Sequence, residues 1–188
     1  MINVYKFLSV VLFPPAIALY VTIIFSLFSP VGLGSLDAYS SIAIGSIFLF
    51  LIPTASIIAF NKGDIHISKK EDRTIPYLIS MAAYVIGSVI FWLSNSHVMF
   101  LIASSYFFVS SAAFLINIFW KISAHSAGVA GPTTALVYVF GQIMIPLYVL
   151  TFLVSLDRIK LKAHSNLQIA AGAIMSIFIT YLVYTILW

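Results

Sequence analysis

Long apolar runs with almost no charge constrain the fold of this chain more than any other feature. Charged residues make up only 7% of its 188 residues, against about 25% in an ordinary soluble domain. So few charges cannot coat a soluble globule, which excludes a soluble enzyme, a nucleic-acid binder and a disordered regulator. The runs reach about 20 residues, the length of a spanning helix, without the alternation of a membrane β-strand. The sequence therefore predicts an all-α, polytopic membrane helix bundle.

The apolar runs define the predicted spans, which we assign to a single transmembrane helical domain, residues 1–188, because no polar linker separates them. The first run is too long for a cleaved signal peptide, so we interpret it as an uncleaved span. Pro14 and Pro15 should kink that span, because proline removes a backbone donor and clashes with the preceding turn. The clear spans are residues 7–28, 39–60, 76–94, 98–120 and 166–187.

The stretch 128–155 is ambiguous, because it is apolar throughout but contains Gly141 and Pro146. A single crossing there would divide the nine lysines and arginines between the two sides of the membrane. Two crossings would place all of them on one side, which is the asymmetry that orients membrane proteins. We therefore favour two helices, 124–141 and 146–157, although the second would be only about 18 Å long in a core of about 30 Å.

Two crossings give about seven spans in total, and one crossing would give six. We expect a multi-pass integral protein of the cell membrane, with its basic side in the cytoplasm. Its expected partners are membrane lipids and not nucleic acid. The chain has no cysteine, so it has no disulfide framework, thiol nucleophile or thiolate metal site.

Three short segments, residues 69–73, 121–125 and 158–164, hold both arginines and two of the four histidines. Brought together, they would form a cluster of cations with two imidazoles. Arginine binds phosphate through paired charge-assisted hydrogen bonds, lysine adds charge, and histidine serves as acid, base or nucleophile. This composition predicts a phosphate site, although any one base alone would more simply lie at the membrane interface. We interpret His66 and His97 as loop residues, and Asp37 as a helix cap.

These segments resemble the three motifs of the type 2 phosphatidic acid phosphatase superfamily, K-x6-R-P, P-S-G-H and S-R-x5-H-x3-D. The third motif resembles residues 157–168, which keep the spacing between arginine and histidine, and Gly172 follows. The second resembles residues 122–125, with serine and histidine in place. The first resembles residues 69–76, although His66 stands where the family lysine is expected. The resemblance extends over residues 69–172.

The resemblance implies a phosphohydrolase that works through a phosphohistidine, with no cofactor and no metal. The histidine of the third motif is the family's nucleophile and that of the second motif protonates the leaving oxygen. These roles fall on His164 and His125. The implied phosphate ligands are Arg73, Arg158, Ser123 and one of Lys69 or Lys70; Lys121, which the motif lacks, would add charge.

Gln168 stands where the family has the aspartate that orients the nucleophilic histidine. Positions 164 and 168 share a helix face, so its amide oxygen can accept from the His164 ring. An amide cannot stabilise the imidazolium charge as a carboxylate does. Three alternatives stay open: activity is reduced, another acid such as Asp157 substitutes, or catalysis is lost.

Two function hypotheses follow. The leading one is a membrane-embedded lipid phosphatase acting on a lipid phosphate or a polyprenyl (di)phosphate. The alternative is a non-catalytic phospholipid-binding or scaffold subunit that keeps a degenerate phosphate pocket. A small transporter is disfavoured, since the sequence shows neither buried acids within the spans nor matching interrupted helices.

Overall fold

The structure, a computed structural model, describes residues 4–61 and 69–188. The predicted loop residue His66 lies outside these ranges. Throughout the described residues the regular structure is helical and there is no strand. The helices are α1 (Val4–Val11), α2 (Pro14–Phe28), α3 (Ala38–Gly45), α4 (Ile52–Phe60), α5 (Thr74–Leu93), α6 (His97–Phe119), α7 (Ala124–Phe140), α8 (Tyr148–Lys160) and α9 (Asn166–Leu187).

Short turns join some of these helices into longer segments. A π-helical turn, Ser46–Leu51, connects α3 to α4, and 3₁₀ turns precede α5 and α8. Five of the resulting segments are long and apolar enough to cross a membrane, which confirms the predicted helical membrane bundle. They are Ala38–Phe60, Glu71–Leu93, His97–Phe119, Gln142–Lys160 and Asn166–Leu187.

The first predicted span is interrupted, as the two prolines indicate. α1 ends at Val11, and α2 begins at Pro14 after Phe13, whose backbone is extended. Proline fits the first turn of α2, where its missing N–H group would have no intrahelical partner. The predicted kink is therefore a break between two helices.

The ambiguous stretch turns back at Gly141, so the prediction of two helices is confirmed. Gly141 has φ +82°, a left-handed conformation that favours glycine. The hydroxyl oxygens of Thr134 and Tyr148 lie 2.7 Å apart across the reversal. The return segment is longer than predicted, because the 3₁₀ turn Gln142–Leu147 extends α8 to 19 residues. At helical rise this is about 28 Å, enough to match the hydrocarbon core.

The helices alternate in direction, so the loops collect at two ends of the bundle. The basic end contains residues 69–73, 119–124 and 158–166, and all lysines and arginines whose side chains are described lie there. At the opposite end, the Ser35 N–H donates to Ser94 O at 2.8 Å, and Trp188 packs against His97. Asp37 caps α3 there by accepting from the Ser40 N–H at 2.9 Å, as predicted, whereas His97 begins α6 instead of lying in a loop.

α7 and α9 form a close helix pair near the basic end, where Gly172 meets the backbone of Ser123. A Cβ atom at Gly172 would lie 2.5 Å from the Ser123 carbonyl oxygen. A backbone atom cannot move aside as a flexible side chain does. The residue at 172 therefore sets how closely the two helices approach.

We expect Gly172→Ala to destabilise the fold by about 1–3 kcal/mol, the usual cost of overpacking. Gly32→Ala is the matched control, because nothing lies within 4 Å of a Cβ built there. Thermal unfolding of both variants in detergent measures the difference. Equal melting temperatures would show that α9 can shift without cost.

Candidate phosphate site

The three basic segments, which lie far apart in the sequence, meet at the basic end. Arg73 Nη1 donates to Ile122 O at 2.9 Å, which ties the first segment to the second. Lys121 Nζ donates to Ala163 O at 3.1 Å, and the Ser123 N–H donates to Gln168 O at 3.2 Å. These two bonds tie the second segment to the third. We call the predicted residues collected here the motif cluster: Arg73, Lys121, Ser123, His125, Arg158, His164 and Gln168.

Arg73 is buried at the start of α5, and a network around Asn117 holds its position. Arg73 Nη1 lies 3.5 Å from Asn117 Oδ1, and Asn117 Nδ2 donates to Lys70 O at 2.9 Å. Asn117 is not among the predicted site residues, although it is the one amide in the span 98–120. A polar residue of this kind within a span can mark a functional site in a membrane protein.

The two lysines before Arg73 lie outside the motif cluster. Lys70 Nζ donates to Ile118 O at 3.1 Å, where it satisfies a carbonyl in the last turn of α6. The Lys69 side chain is exposed. In this arrangement Lys70 stabilises a helix end, and Lys121 is the lysine that connects the second segment to the third.

Arg158 is 2% exposed and is paired with its neighbour Asp157, which has no exposed surface. Arg158 Nε donates to Asp157 Oδ2 at 2.9 Å, and Nη2 donates to the same oxygen and to Ser9 Oγ. The expectation that the spans hold no buried acid is therefore wrong at Asp157. A buried guanidinium needs a counter-charge, and here the preceding residue supplies it.

Ser123 and His125 lie at the start of α7. Ser123 is fully buried and caps the helix, because its Oγ accepts from the Ser126 N–H at 3.3 Å. The N-terminal N–H groups and the helix dipole favour a negative charge nearby. His125 is 5% exposed, and its ring centroid lies 6.2 Å from that of Phe13 at the break between α1 and α2.

His164 lies in the connection between α8 and α9 and is half-buried. Burial, followed by the charges of Arg73 and Lys121, lowers its pKa from 6.5 to about 4. A side-chain hydrogen bond with Gln168 opposes this lowering of the pKa, and the charge of Arg158 adds a smaller contribution to it. Its Nδ1 has no hydrogen-bond partner among the described residues. At neutral pH the imidazole is therefore uncharged and keeps a free lone pair.

The expectation that His164 and Gln168 share a helix face is wrong, because α9 begins at Asn166 and its N-cap is Ser165. Gln168 has a structural role at this N-terminus. Its Oε1 accepts from the Ser165 N–H at 2.9 Å, while Ser165 Oγ accepts from the Gln168 N–H at 3.3 Å. The pair forms a capping box at the start of α9. Ser165 and Gln168 thus stabilise the first turn of the helix that follows His164.

A cavity begins beside the motif cluster and continues into the bundle. Arg73 and His125 form part of its wall at the basic end, and Tyr84, Tyr106 and Thr180 line it further in. Its volume is about 120 Å³. Pro14, at the break before α2, and Pro53, just after the π-helical turn, also line the cavity. The cavity is mostly apolar, and Arg73 is the cation of the motif cluster that lines it.

Comparison with protein-family models, curated proteins and solved structures finds no match for this chain. Among residues 4–61 and 69–188, no group of three or more histidines or carboxylates is placed to hold a metal ion. The site is therefore interpreted from its own residues.

The low pKa of His164 gives a testable titration. An NMR titration of the ring is expected to show a midpoint at about 4. Lys121→Met should raise that midpoint by removing one of the nearby cations, and Lys160→Met, at an exposed position, should not. A midpoint that is the same in all three proteins would contradict the assigned cause.

The lowered pKa of His164 also makes the free energy of unfolding depend on pH. The unfolded chain binds a proton at His164 near pH 6.5, whereas the folded chain does so only near pH 4. The unfolding free energy should therefore fall as the pH drops from 6.5 towards 4, and this group should have no effect above that range. Unfolding measurements across this window in wild type and in His164→Ala would separate the contribution of this histidine.

Proposed function

We propose that this protein is a membrane-embedded lipid phosphatase that acts through a phosphohistidine intermediate. One observation carries the proposal: the three segments that resemble the phosphatase motifs meet at one end of the bundle, beside a cavity that enters it. Orientation by basic residues alone would bring the segments to the same end of the bundle. It would not require the hydrogen bonds that tie the segments together, from Arg73 to Ile122 O and from Lys121 to Ala163 O.

The proposed roles follow the resemblance. The phosphate group lies among Arg73, Arg158 and Lys121, near the N-terminus of α7 at Ser123. Cations held in place within a poorly solvated site stabilise the charge that spreads over the phosphoryl oxygens in the transition state. The lipid chain occupies the cavity, and the basic end faces the cytoplasm.

In the first step, the neutral His164 imidazole attacks phosphorus and forms a P–N bond, while the bond from phosphorus to the lipid oxygen breaks. His125 donates a proton to that oxygen, and the lipid alcohol leaves. In the second step, water attacks the phosphohistidine, the P–N bond breaks, and inorganic phosphate leaves as His125 takes up the proton from the water. The low pKa of His164 supports this role, because a protonated ring has no lone pair to attack with.

A second candidate is a lipid-phosphate binding protein without catalysis. Two observations favour it: Gln168 Oε1 is engaged in the capping box, and the Arg158 guanidinium already has a counter-charge in Asp157. Both groups therefore already have structural partners within the protein. In this case the cavity and the cations hold a lipid phosphate that the protein does not cleave.

One experiment separates the candidates. The purified full chain in detergent, without added metal, is given a diacylglycerol phosphate and a polyprenyl diphosphate, and both phosphate release and binding are measured. Release that depends on His164 supports the phosphatase. Binding without release supports the second candidate, and neither binding nor release contradicts both.

A further inference from the structure

The wall of the cavity contains a buried hydroxyl close to the cations. Tyr77, in the first turn of α5, lies four residues after Arg73, which ends the 3₁₀ turn leading into that helix. It is about 6 Å further along the axis. Both residues line the cavity. Side chains on a helix lean towards its N-terminus, and α5 begins at the basic end. The Tyr77 hydroxyl is therefore directed towards Arg73.

This hydroxyl has no hydrogen-bond partner in the described part of the chain. The ring is held against Phe114, with centroids 6.2 Å apart. A buried hydroxyl without a partner is costly, and this cost is removed by a ligand that presents an acceptor at the same place. A pure hydrocarbon chain offers none.

We propose that the Tyr77 hydroxyl is a subsite for an ester carbonyl oxygen, so that the site prefers glycerolipid phosphates to lipid phosphates without esters. The inference rests on the proposed function in one respect, that the phosphate group of the ligand lies at Arg73 and its lipid chain lies in the cavity. In a glycerolipid the ester carbonyl lies a few covalent bonds from the phosphate, about 5–6 Å away at ordinary bond lengths. This distance is of the same size as the rise of about 6 Å along the axis from Arg73 to Tyr77.

The same cavity supplies a matched control in Tyr106. Its hydroxyl also lies in the cavity wall, is buried, and has no partner in residues 4–61 and 69–188. Tyr106 is eleven residues from Asn117, the neighbour of Arg73, so it lies about 16 Å deeper. Because α6 begins at the opposite end, its side chain leans further away. An ester next to the phosphate cannot reach it.

The test compares two phosphates of the same chain length, a diacylglycerol phosphate and its dialkyl ether analogue, which lacks only the carbonyls. Affinities for the full chain in lipid nanodiscs are measured for wild type, Tyr77→Phe and Tyr106→Phe. Wild type should bind the ester about fivefold more tightly, the usual gain from one hydrogen bond. Tyr77→Phe should abolish the preference and Tyr106→Phe should keep it. A ratio of affinities is insensitive to partial misfolding.

Other outcomes overturn either the proposed subsite or the proposed function on which it rests. Equal affinities in wild type, or a preference that survives in Tyr77→Phe, overturn the subsite. Loss of the preference in Tyr106→Phe as well places the carbonyl elsewhere and also overturns it. If neither phosphate binds more tightly than diacylglycerol without phosphate, the proposed function itself fails, a result that the other outcomes cannot produce.

Discussion

Replacing His164 by alanine is expected to reduce phosphate release from a lipid phosphate to the background rate, a loss of roughly 10⁴-fold or more by analogy with hydrolases that lose a covalent nucleophile. Without the imidazole no P–N bond forms. The burial and the cations that lower its pKa keep the ring neutral at pH 7. Phosphate release by the purified protein measures the loss, and a trapped phosphohistidine should be present in wild type and absent from the variant.

His125→Ala provides the informative comparison, because a general acid can be replaced by a better leaving group while a nucleophile cannot. With a nitrophenyl phosphate the departing oxygen needs no proton, so His125→Ala should be partly rescued. His164→Ala should show no rescue. His97→Ala is the matched control, since His97 lies at the opposite end against Trp188, and it should leave turnover unchanged.

Rescue of both variants, or of neither, would contradict the assignment of the two roles. A loss of turnover in His97→Ala equal to that in His164→Ala would indicate that histidine substitutions act through folding. Release by His164→Ala at the wild-type rate would remove the phosphohistidine from the mechanism.

The reversal of the chain within residues 128–155 could be predicted because the distribution of basic residues and the backbone freedom of glycine favour the same number of crossings. Hydropathy alone fits residues 128–155 to a single span. Only the position of the nine lysines and arginines favours a reversal, and Gly141 supplies the backbone freedom that the reversal needs. The helix boundaries were less predictable, since the 3₁₀ turn before α8 and the π-helical turn before α4 depend on packing between helices.

The candidate site could be predicted as a set of residues but not as a set of contacts. The three segments grouped both arginines with two histidines, yet nothing in their spacing shows that Asp157 neutralises Arg158 or that Ser9, from the first helix, completes the pair. Gln168 shows the same limit. In the motif comparison Gln168 only replaces the family aspartate, whereas in the structure it forms a capping box with Ser165. Such partners depend on backbone geometry that the sequence pattern does not contain.

The pair of Asp157 and Arg158 gives the second large expected effect. Asp157→Asn keeps the shape and one acceptor but removes the counter-charge of a guanidinium that is 2% exposed. A buried charge left without its partner costs about 3 kcal/mol or more. Thermal unfolding in detergent should therefore show strong destabilisation. Asp37→Asn is the matched control, because Asp37 is an exposed helix cap and asparagine caps as well as aspartate does.

The effect of added ligand on this variant distinguishes a phosphate-binding role of Arg158 from a purely structural one. If Arg158 binds phosphate, an anion becomes the only counter-charge left to it in Asp157→Asn, so a lipid phosphate should raise the melting temperature of the variant more than that of wild type. A ligand at a hundred times its Kd stabilises by about 2.7 kcal/mol, so tighter binding by the variant produces a clear shift. An equal rise in both proteins would mean that the phosphate does not reach Arg158. The ion pair would then be a structural contact between α8 and α1, and the phosphate would have to be held by Arg73 and Lys121 alone.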